Sequence, residues 1–206
     1  MPPSPGRFTG VILCGGAGSR LGGRNKAFLN LGDQCFLERL RDTLAPLVDE
    51  LLLVARDAEI FADYAEKTVT DIYSTRCALT GIHAGLKQAR TSHAFFVACD
   101  APLLRSALVR GLFGEATPET DAVVPEYDGF LEPLCAVYSR QCLPAIEELL
   151  DSGICQIRRL YPMIRVRTMD KPRLLELDPD LESFFNVNTE EDLRELGERA
   201  KVKGPR

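Results

Sequence analysis

The residues best suited to chemistry lie in one stretch, Gly10-Val11-Ile12-Leu13-Cys14-Gly15-Gly16-Ala17-Gly18-Ser19-Arg20-Leu21-Gly22-Gly23-Arg24-Asn25-Lys26. Five glycines fall within the nine residues from Gly15 to Gly23, and Arg20, Arg24 and Lys26 supply cations. A backbone without Cβ atoms turns sharply and brings its N–H groups close to a ligand. Amide donors beside cations suit a polyphosphate. The apolar run 11–13 before the glycines reads as a buried strand, a setting that a merely flexible surface loop rarely has. A second feature is Asp100, directly after 94–99, the most apolar run in the chain. An acid just outside the carboxyl end of a central strand stands where open α/β sheets bind ligands. The other reading of Asp100 is a cap for a helix beginning near Ser106.

Two familiar phosphate-loop patterns do not fit. The dinucleotide pattern G-x-G-x-x-G needs glycine after Gly16 and Gly18 where Leu21 stands. The Walker pattern gains Gly18 and Gly23 at the right separation but has Arg24 and Asn25 where lysine and a hydroxyl residue belong. Lys26 and Asp100 would have to serve those roles in another geometry.

The elements that must carry these residues alternate in type. Periodicity predicts strands at 11–13, 50–55, 68–70, 94–99, 121–125, 133–138 and 164–167. It predicts helices at 35–45 (stopped by Pro46), 60–64, 80–89, 106–112, 142–150 and 190–201, with a short one near 154–160. Residues 172–179 read as irregular, and Asn188 or Thr189 as the cap of the last helix. Strands alternating with helices define a mostly parallel, three-layer α/β/α sandwich. The chain has no internal repeat and no linker, so we expect a single domain over 1–206, with 1–8 and about 201–206 as flexible tails.

Composition narrows the function classes. A chain of 206 residues supports one sizeable core rather than two. A net charge of −5 disfavours a general nucleic-acid binder. No apolar run reaches the roughly 18 residues of a membrane span. The seven cysteines are scattered with no C-x-x-C pair, as expected of reduced thiols in a cytoplasmic protein. Only His83 and His93 are present, so histidine-based metal sites and triads are poorly supplied. Both are expected to be surface or packing residues rather than ligands.

Further blocks follow the glycine loop in order: Asp71, Thr80-Gly81-Ile82-His83-Ala84-Gly85-Leu86, Cys99-Asp100-Ala101-Pro102-Leu103, Glu132-Pro133-Leu134-Cys135-Ala136-Val137-Tyr138 and Phe185-Asn186-Val187-Asn188-Thr189. With Leu13-Cys14-Gly15-Gly16, Arg20, Gly22-Gly23 and Lys26, they span nearly the whole chain. In this pattern the chain resembles the nucleotidyltransferases that activate sugars and cofactors, and within them the molybdenum cofactor guanylyltransferase family. The resemblance implies a Rossmann-like, GT-A-like nucleotidyltransferase sheet. It also implies transfer of GMP from GTP to the terminal phosphate of molybdopterin, with release of pyrophosphate.

By the same resemblance, Arg20, Lys26 and Asp100 are catalytic. Leu13, Cys14, Gly15, Gly16, Gly18, Lys26, Asp71 and Asp100 bind the nucleotide. Asp100 holds Mg²⁺, and Asn186 or Asn188 meets the metal or the acceptor, unless Asn188 only caps the last helix. Asp71 read without the resemblance is an acid at a strand end, equally a turn residue. Related cytidylyltransferases carry alanine at the position of Gly15, and glycine leaves room for a purine. Arg158, Arg159 and Arg165 are candidate cations for the acceptor phosphate and equally ordinary surface charges. Implied partners are GTP and molybdopterin, with proteins that deliver molybdopterin or chaperone molybdoenzymes, and neither nucleic acid nor membrane. Three positions depart from the family pattern: Asn25 replaces an aspartate, Cys77-Ala78 replaces Gly-Pro, and Leu53 replaces an asparagine found in some members. Other readings are a nucleotidyltransferase using CTP or another nucleotide on molybdopterin or a sugar phosphate, and a non-catalytic nucleotide-binding protein that handles the cofactor.

Overall fold

A computed structural model describes residues 8–15, 24–64 and 67–203. Its strands and helices follow in chain order as β1 (Phe8–Leu13), β2 (Asn30–Leu31), β3 (Gln34–Cys35), α1 (Phe36–Leu44), β4 (Glu50–Val54), β5 (Thr68–Val69), α2 (Ala78–Gln88) and β6 (His93–Ala98). After these come α3 (Ser106–Glu115), β7 (Ala122–Tyr127), β8 (Phe130–Leu131), β9 (Cys135–Ser139), α4 (Leu143–Asp151), β10 (Val166–Met169), α5 (Lys171–Leu177) and α6 (Glu190–Lys203).

The main sheet has the order β10-β7-β9-β6-β1-β4-β5, with β8 paired to β7. β1 runs parallel to β4 and β6, β4 to β5, and β10 to β7. β9 is inverted between β6 and β7. The alternation of side chains along each strand makes the layers. Ile12, Leu53, Phe95, Val97, Val123 and Val137 face the α1, α3 and α5 side. Val11, Leu52, Val54, Phe96, Val124 and Tyr138 face α2 and α4. Both sets are buried, which explains why the strands read as continuous apolar runs. The expected three-layer α/β/α architecture is present.

A third, smaller core lies beside the sheet. Leu29, Leu31, Phe36, Val187 and Leu196 bury one another there, with Leu103, Phe185 and Leu193 packed around them. It clamps the β2–β3 hairpin, the segment after α5 and α6 into one unit.

Several local expectations are corrected. Residues 171–177 form α5, where an irregular stretch was expected: Asp170 caps it by accepting from the Arg173 N–H at 3.2 Å, and Pro172 lies in the first turn. Proline lacks only a donor that a helix start leaves unpaired anyway. The helix expected at 60–64 is a single 3₁₀ turn, Glu59–Phe61. The strand expected at 133–138 begins only at Cys135. β1 starts at Phe8 and α6 runs to Lys203, so each expected tail was drawn too long.

Gly85 sets how closely α2 approaches the sheet. A Cβ there would stand 2.6 Å from Phe96 Cε1 and 2.9 Å from Val11 Cγ1. Gly114 in α3 is exposed, and a Cβ there meets nothing within 4 Å. We therefore expect Gly85→Ala to destabilise by about 1–3 kcal/mol through overpacking. Gly114→Ala should be neutral or stabilising by up to about 1 kcal/mol through helix propensity. Urea unfolding of the two variants checks this.

Candidate active site

All strands of the main sheet except β8 and β9 end at one edge, and β9 begins there. A cavity of about 740 Å³ opens along it, a size usual for small-molecule sites of roughly 300–1,000 Å³. The sheet order divides its lining. On the β1–β4–β5 side are Leu13, Cys14, Gly15, Asp71 and the start of α2 from Cys77. On the β9 side are Glu132, Pro133 and Leu134. Between them stand Asp100, at the end of β6, and Lys26, with Asn186 and Asn188 beside them.

Lys26 is the junction. Its Nζ donates to Asp100 Oδ2 at 2.7 Å and to Asn188 Oδ1 at 2.7 Å, joining positions 74 and 162 residues distant in sequence. The side chains of Lys26 and Asp100 are only 12% and 18% exposed, so the pair is shielded from water without being sealed from the cavity. Asn25 fixes the approach: its Oδ1 accepts from the Ala27 N–H at 3.0 Å and caps the 3₁₀ turn Lys26–Phe28. Asparagine and aspartate are near-equal caps, so this departure from the family pattern preserves the turn.

Asn186 and Asn188 flank Val187, whose side chain is fully buried in the small core. Spaced by two around that buried residue, both line the cavity. The Val187 N–H donates to the Asp100 carbonyl at 2.9 Å, pinning this strap to the β6 end. An ionic cluster that the sequence did not betray adds to the pinning. Arg105 pairs with Asp178 at 2.9 Å and with Glu182 at 2.8 Å, and its N–H donates to Ser183 Oγ at 3.0 Å. Asp100 does not cap α3: Arg105 holds the cap position, with no side-chain cap.

On the β1–β4–β5 side, Asp71 Oδ2 accepts from Thr80 Oγ1 at 2.8 Å, while Oδ1 is buried and has no hydrogen-bond partner among the described residues. A buried oxygen left unpaired is costly, and here it belongs to a cavity-lining carboxylate. At Gly15 an added Cβ would meet no atom of the described residues within 4 Å. Cys77 and Ala78 also line the cavity, where Cys77 is the N-cap residue of α2.

Some expected contacts are redistributed. The Cys14 N–H is spent on the Val54 carbonyl at 2.8 Å and continues the sheet, so it is not a phosphate donor. Its thiol is held well above the usual value by the neighbouring Cys99 thiol and by burial, and stays protonated. Leu53 is buried in the α1/α3 core and does not line the cavity. Arg165 lies at the opposite sheet edge, next to the start of β7, forked onto Asp121 at 2.8 and 3.1 Å. Arg158 and Arg159 sit exposed in a 3₁₀ turn outside the cavity lining. Gly16, Gly18 and Arg20 lie outside the described residues. Both histidines pack as expected: His83 Nε2 meets Glu147 at 3.0 Å and His93 Nε2 meets the Thr120 carbonyl at 3.1 Å. Glu132 stood in one of the sequence blocks without a role: half-buried, it lines the cavity, and burial pushes its carboxyl pKa up against the opposing Tyr127 hydrogen bond.

A parallel-edge cavity with an unpaired aspartate oxygen on one side and a lysine–aspartate junction at its centre defines the nucleotide-handling α/β class, and the comparisons make it a nucleotidyltransferase. The pattern of the MobA-like NTP transferase domain matches residues 10–167. A molybdenum cofactor guanylyltransferase of Desulfosudis oleivorans is 42% identical over 96% of this chain and 97% of its own. A probable molybdenum cofactor guanylyltransferase of Pelotomaculum thermopropionicum is 35% identical over 90% and 89%. The crystal structure of molybdopterin-guanine dinucleotide biosynthesis protein A from Archaeoglobus fulgidus superposes with a TM-score of 0.83 at 27% identity, covering 94% of this chain and 99% of that one. The chain belongs to the MobA-like NTP transferases, among the molybdenum cofactor guanylyltransferases.

The Arg165 fork holds the Asp121 carboxyl below its ordinary value of 3.8, so the pair stabilises the fold above that pH and stops doing so as pH falls through the lowered value. Asp121→Asn should therefore destabilise at neutral pH, by an amount that shrinks steadily below about pH 4 in urea unfolding. Arg165→Ala should leave catalysis unchanged.

Proposed function

We propose that this nucleotidyltransferase transfers GMP from GTP to the terminal phosphate of molybdopterin, releasing pyrophosphate and forming molybdopterin guanine dinucleotide. The observation that carries the reading is the Lys26–Asp100–Asn188 junction at the centre of the cavity. It lies between the Gly15–Asp71 side and the β9 side, where a donor and an acceptor can meet.

GTP lies on the β1–β4–β5 side. Its base sits over Gly15, and Asp71, held by Thr80, accepts a hydrogen bond through its unpaired Oδ1. Lys26 gives positive charge to the phosphates where the strands converge. The amides of Gly16 and Gly18 and the guanidinium of Arg20 are assigned the β- and γ-phosphates from the sequence pattern. The acceptor phosphate enters beside Asn186 and Asn188. One of its oxygens forms a bond to the α-phosphorus while the bond from that phosphorus to pyrophosphate breaks, and the electron pair leaves with pyrophosphate. A phosphate nucleophile is already anionic at neutral pH, so no histidine base is needed. Alignment and charge neutralisation supply the rate.

Asp100 fits Mg²⁺ by its chemistry. Its carboxylate faces the cavity, and among the described residues only Lys26 hydrogen-bonds to that carboxylate. Among the described residues no three acids, cysteines or histidines stand together to hold a metal alone. One carboxylate completed by substrate oxygens is the usual Mg²⁺ arrangement. The bound ion would neutralise charge at the α-phosphate. The free cysteines suit a reducing compartment such as the cytoplasm.

Incubating the protein with Mg²⁺, molybdopterin and either GTP or CTP, and measuring pyrophosphate, tests the reading. Turnover should require molybdopterin and favour GTP. Tight GTP binding without pyrophosphate release would overturn transfer. Asp100→Asn should lower turnover by more than about a hundredfold with an unchanged unfolding midpoint. Full activity in that variant would remove Asp100 from the metal and catalytic roles. Gly15→Ala should raise the KM for GTP while leaving stability unaltered.

A further inference from the structure

Glu132 takes no part in the reaction derived above, yet it is built into the wall of the same cavity. Its backbone is fixed on both sides: its N–H donates to the Pro125 carbonyl at 3.0 Å, and its carbonyl accepts from the Cys135 N–H at 3.2 Å. Tyr127 Oη donates to Oε1 at 2.9 Å. The Tyr127 ring is held in turn by stacking on Phe184, with centroids 5.1 Å apart. Among the described residues no cation pairs with Glu132, and Oε2 has no hydrogen-bond partner. Tyr127 thus orients the carboxylate through one oxygen, and the other is left open to the cavity to accept from a ligand.

The place of Glu132 says which end of which ligand. It enters from the β8–β9 connection, so β6 and the Lys26–Asp100 junction separate it from the Gly15–Asp71 side. A phosphate beside an unpaired carboxylate is repelled, and Lys26 draws the phosphates to the centre. What remains for Glu132 is the donor-rich end of the acceptor. The aminopyrimidinone ring of a pterin presents a ring N–H and an exocyclic NH₂ side by side, a match for the acceptor-only oxygens of a carboxylate.

We infer that Glu132, oriented by Tyr127, recognises the aminopyrimidinone end of the pterin acceptor and thereby aims its phosphate at the Lys26–Asp100 junction. The inference rests on the proposed guanylyl transfer. Guanine carries the same pair of donors, so the experiment must separate the two substrates.

Glu132→Gln keeps an oxygen for Tyr127 but turns the other acceptor into a donor. We expect the KM for molybdopterin to rise about ten- to a hundredfold, the loss of a charge-assisted hydrogen bond. The KM for GTP and kcat at saturating acceptor should stay within about twofold, and the unfolding temperature should not change. A rise in the GTP KM instead would make Glu132 a reader of guanine and overturn the inference, as would an unchanged acceptor KM. Equal losses in Glu132→Gln and Tyr127→Phe, with lowered unfolding temperatures, would overturn it too by reducing Glu132 to a structural partner. Should the glutamine variant not fold, Glu132→Asp keeps the charge but shortens the reach, and should raise the acceptor KM alone, by several-fold. If wild-type protein transfers no GMP to molybdopterin, the proposed function itself has failed. An active wild type with an unmoved acceptor KM in both variants refutes only Glu132.

Discussion

The site depends on one ammonium group held between a carboxylate and an amide, and that contact depends on apolar packing elsewhere. Lys26 reaches Asp100 and Asn188 from a different part of the chain, and an ion pair this shielded gains little net energy over its desolvation. The position of its partners is supplied by the small core beside the sheet. Leu29 and Leu31 follow Lys26 in sequence, Val187 separates the two asparagines, and Leu103 follows Asp100, and all of them meet in that cluster. Burying Val187 turns Asn186 and Asn188 outward. The Val187 N–H on the Asp100 carbonyl then sets the spacing to the end of β6. Polar geometry at the centre of the cavity is thus the outward face of a hydrophobic contact.

The inverted strand gives the cavity its two sides. Had β9 run with its neighbours, its carboxyl end would lie at the site edge and Glu132 at the far one. Because it runs backwards between β6 and β7, the connection leading into it delivers Glu132, Pro133 and Leu134 to the edge where β1, β4 and β6 deliver their loops. The Arg105 cluster completes this side by anchoring the strap that carries the asparagines. Leu181, at the entry to the strap, adopts a left-handed backbone (φ 52°), a strain the cluster next to it must hold in place.

Much of this was legible in residue patterns. The run 94–99 announced a central strand because both its faces are buried, and Asp100 just after it proved to face the cavity. Asn186 and Asn188, two apart, could be paired without coordinates. Other features were not legible. Residues 172–179 read as irregular, whereas Pro172 sits in the first turn of α5, where a proline costs no hydrogen bond. Cys14 followed the strand closely enough to read as loop, but the sheet claims its N–H. Arg165 was one cation among several until Asp121 fixed it at the wrong edge. Arg105, Asp178 and Glu182 carry no motif at all, since ion pairs between remote segments leave no periodic trace.

The sequence by itself determined the layered α/β class and the sheet edge along which the cavity opens. Those follow from local periodicity and from where a strand ends. Only the tertiary structure decided that Asn25 caps the turn presenting Lys26, that Leu53 belongs to the core, and that Glu132 faces the same cavity as Asp71. Each of these turns on which face a side chain takes and which distant segment packs beside it. Long-range packing decides that, and a one-dimensional pattern does not contain it.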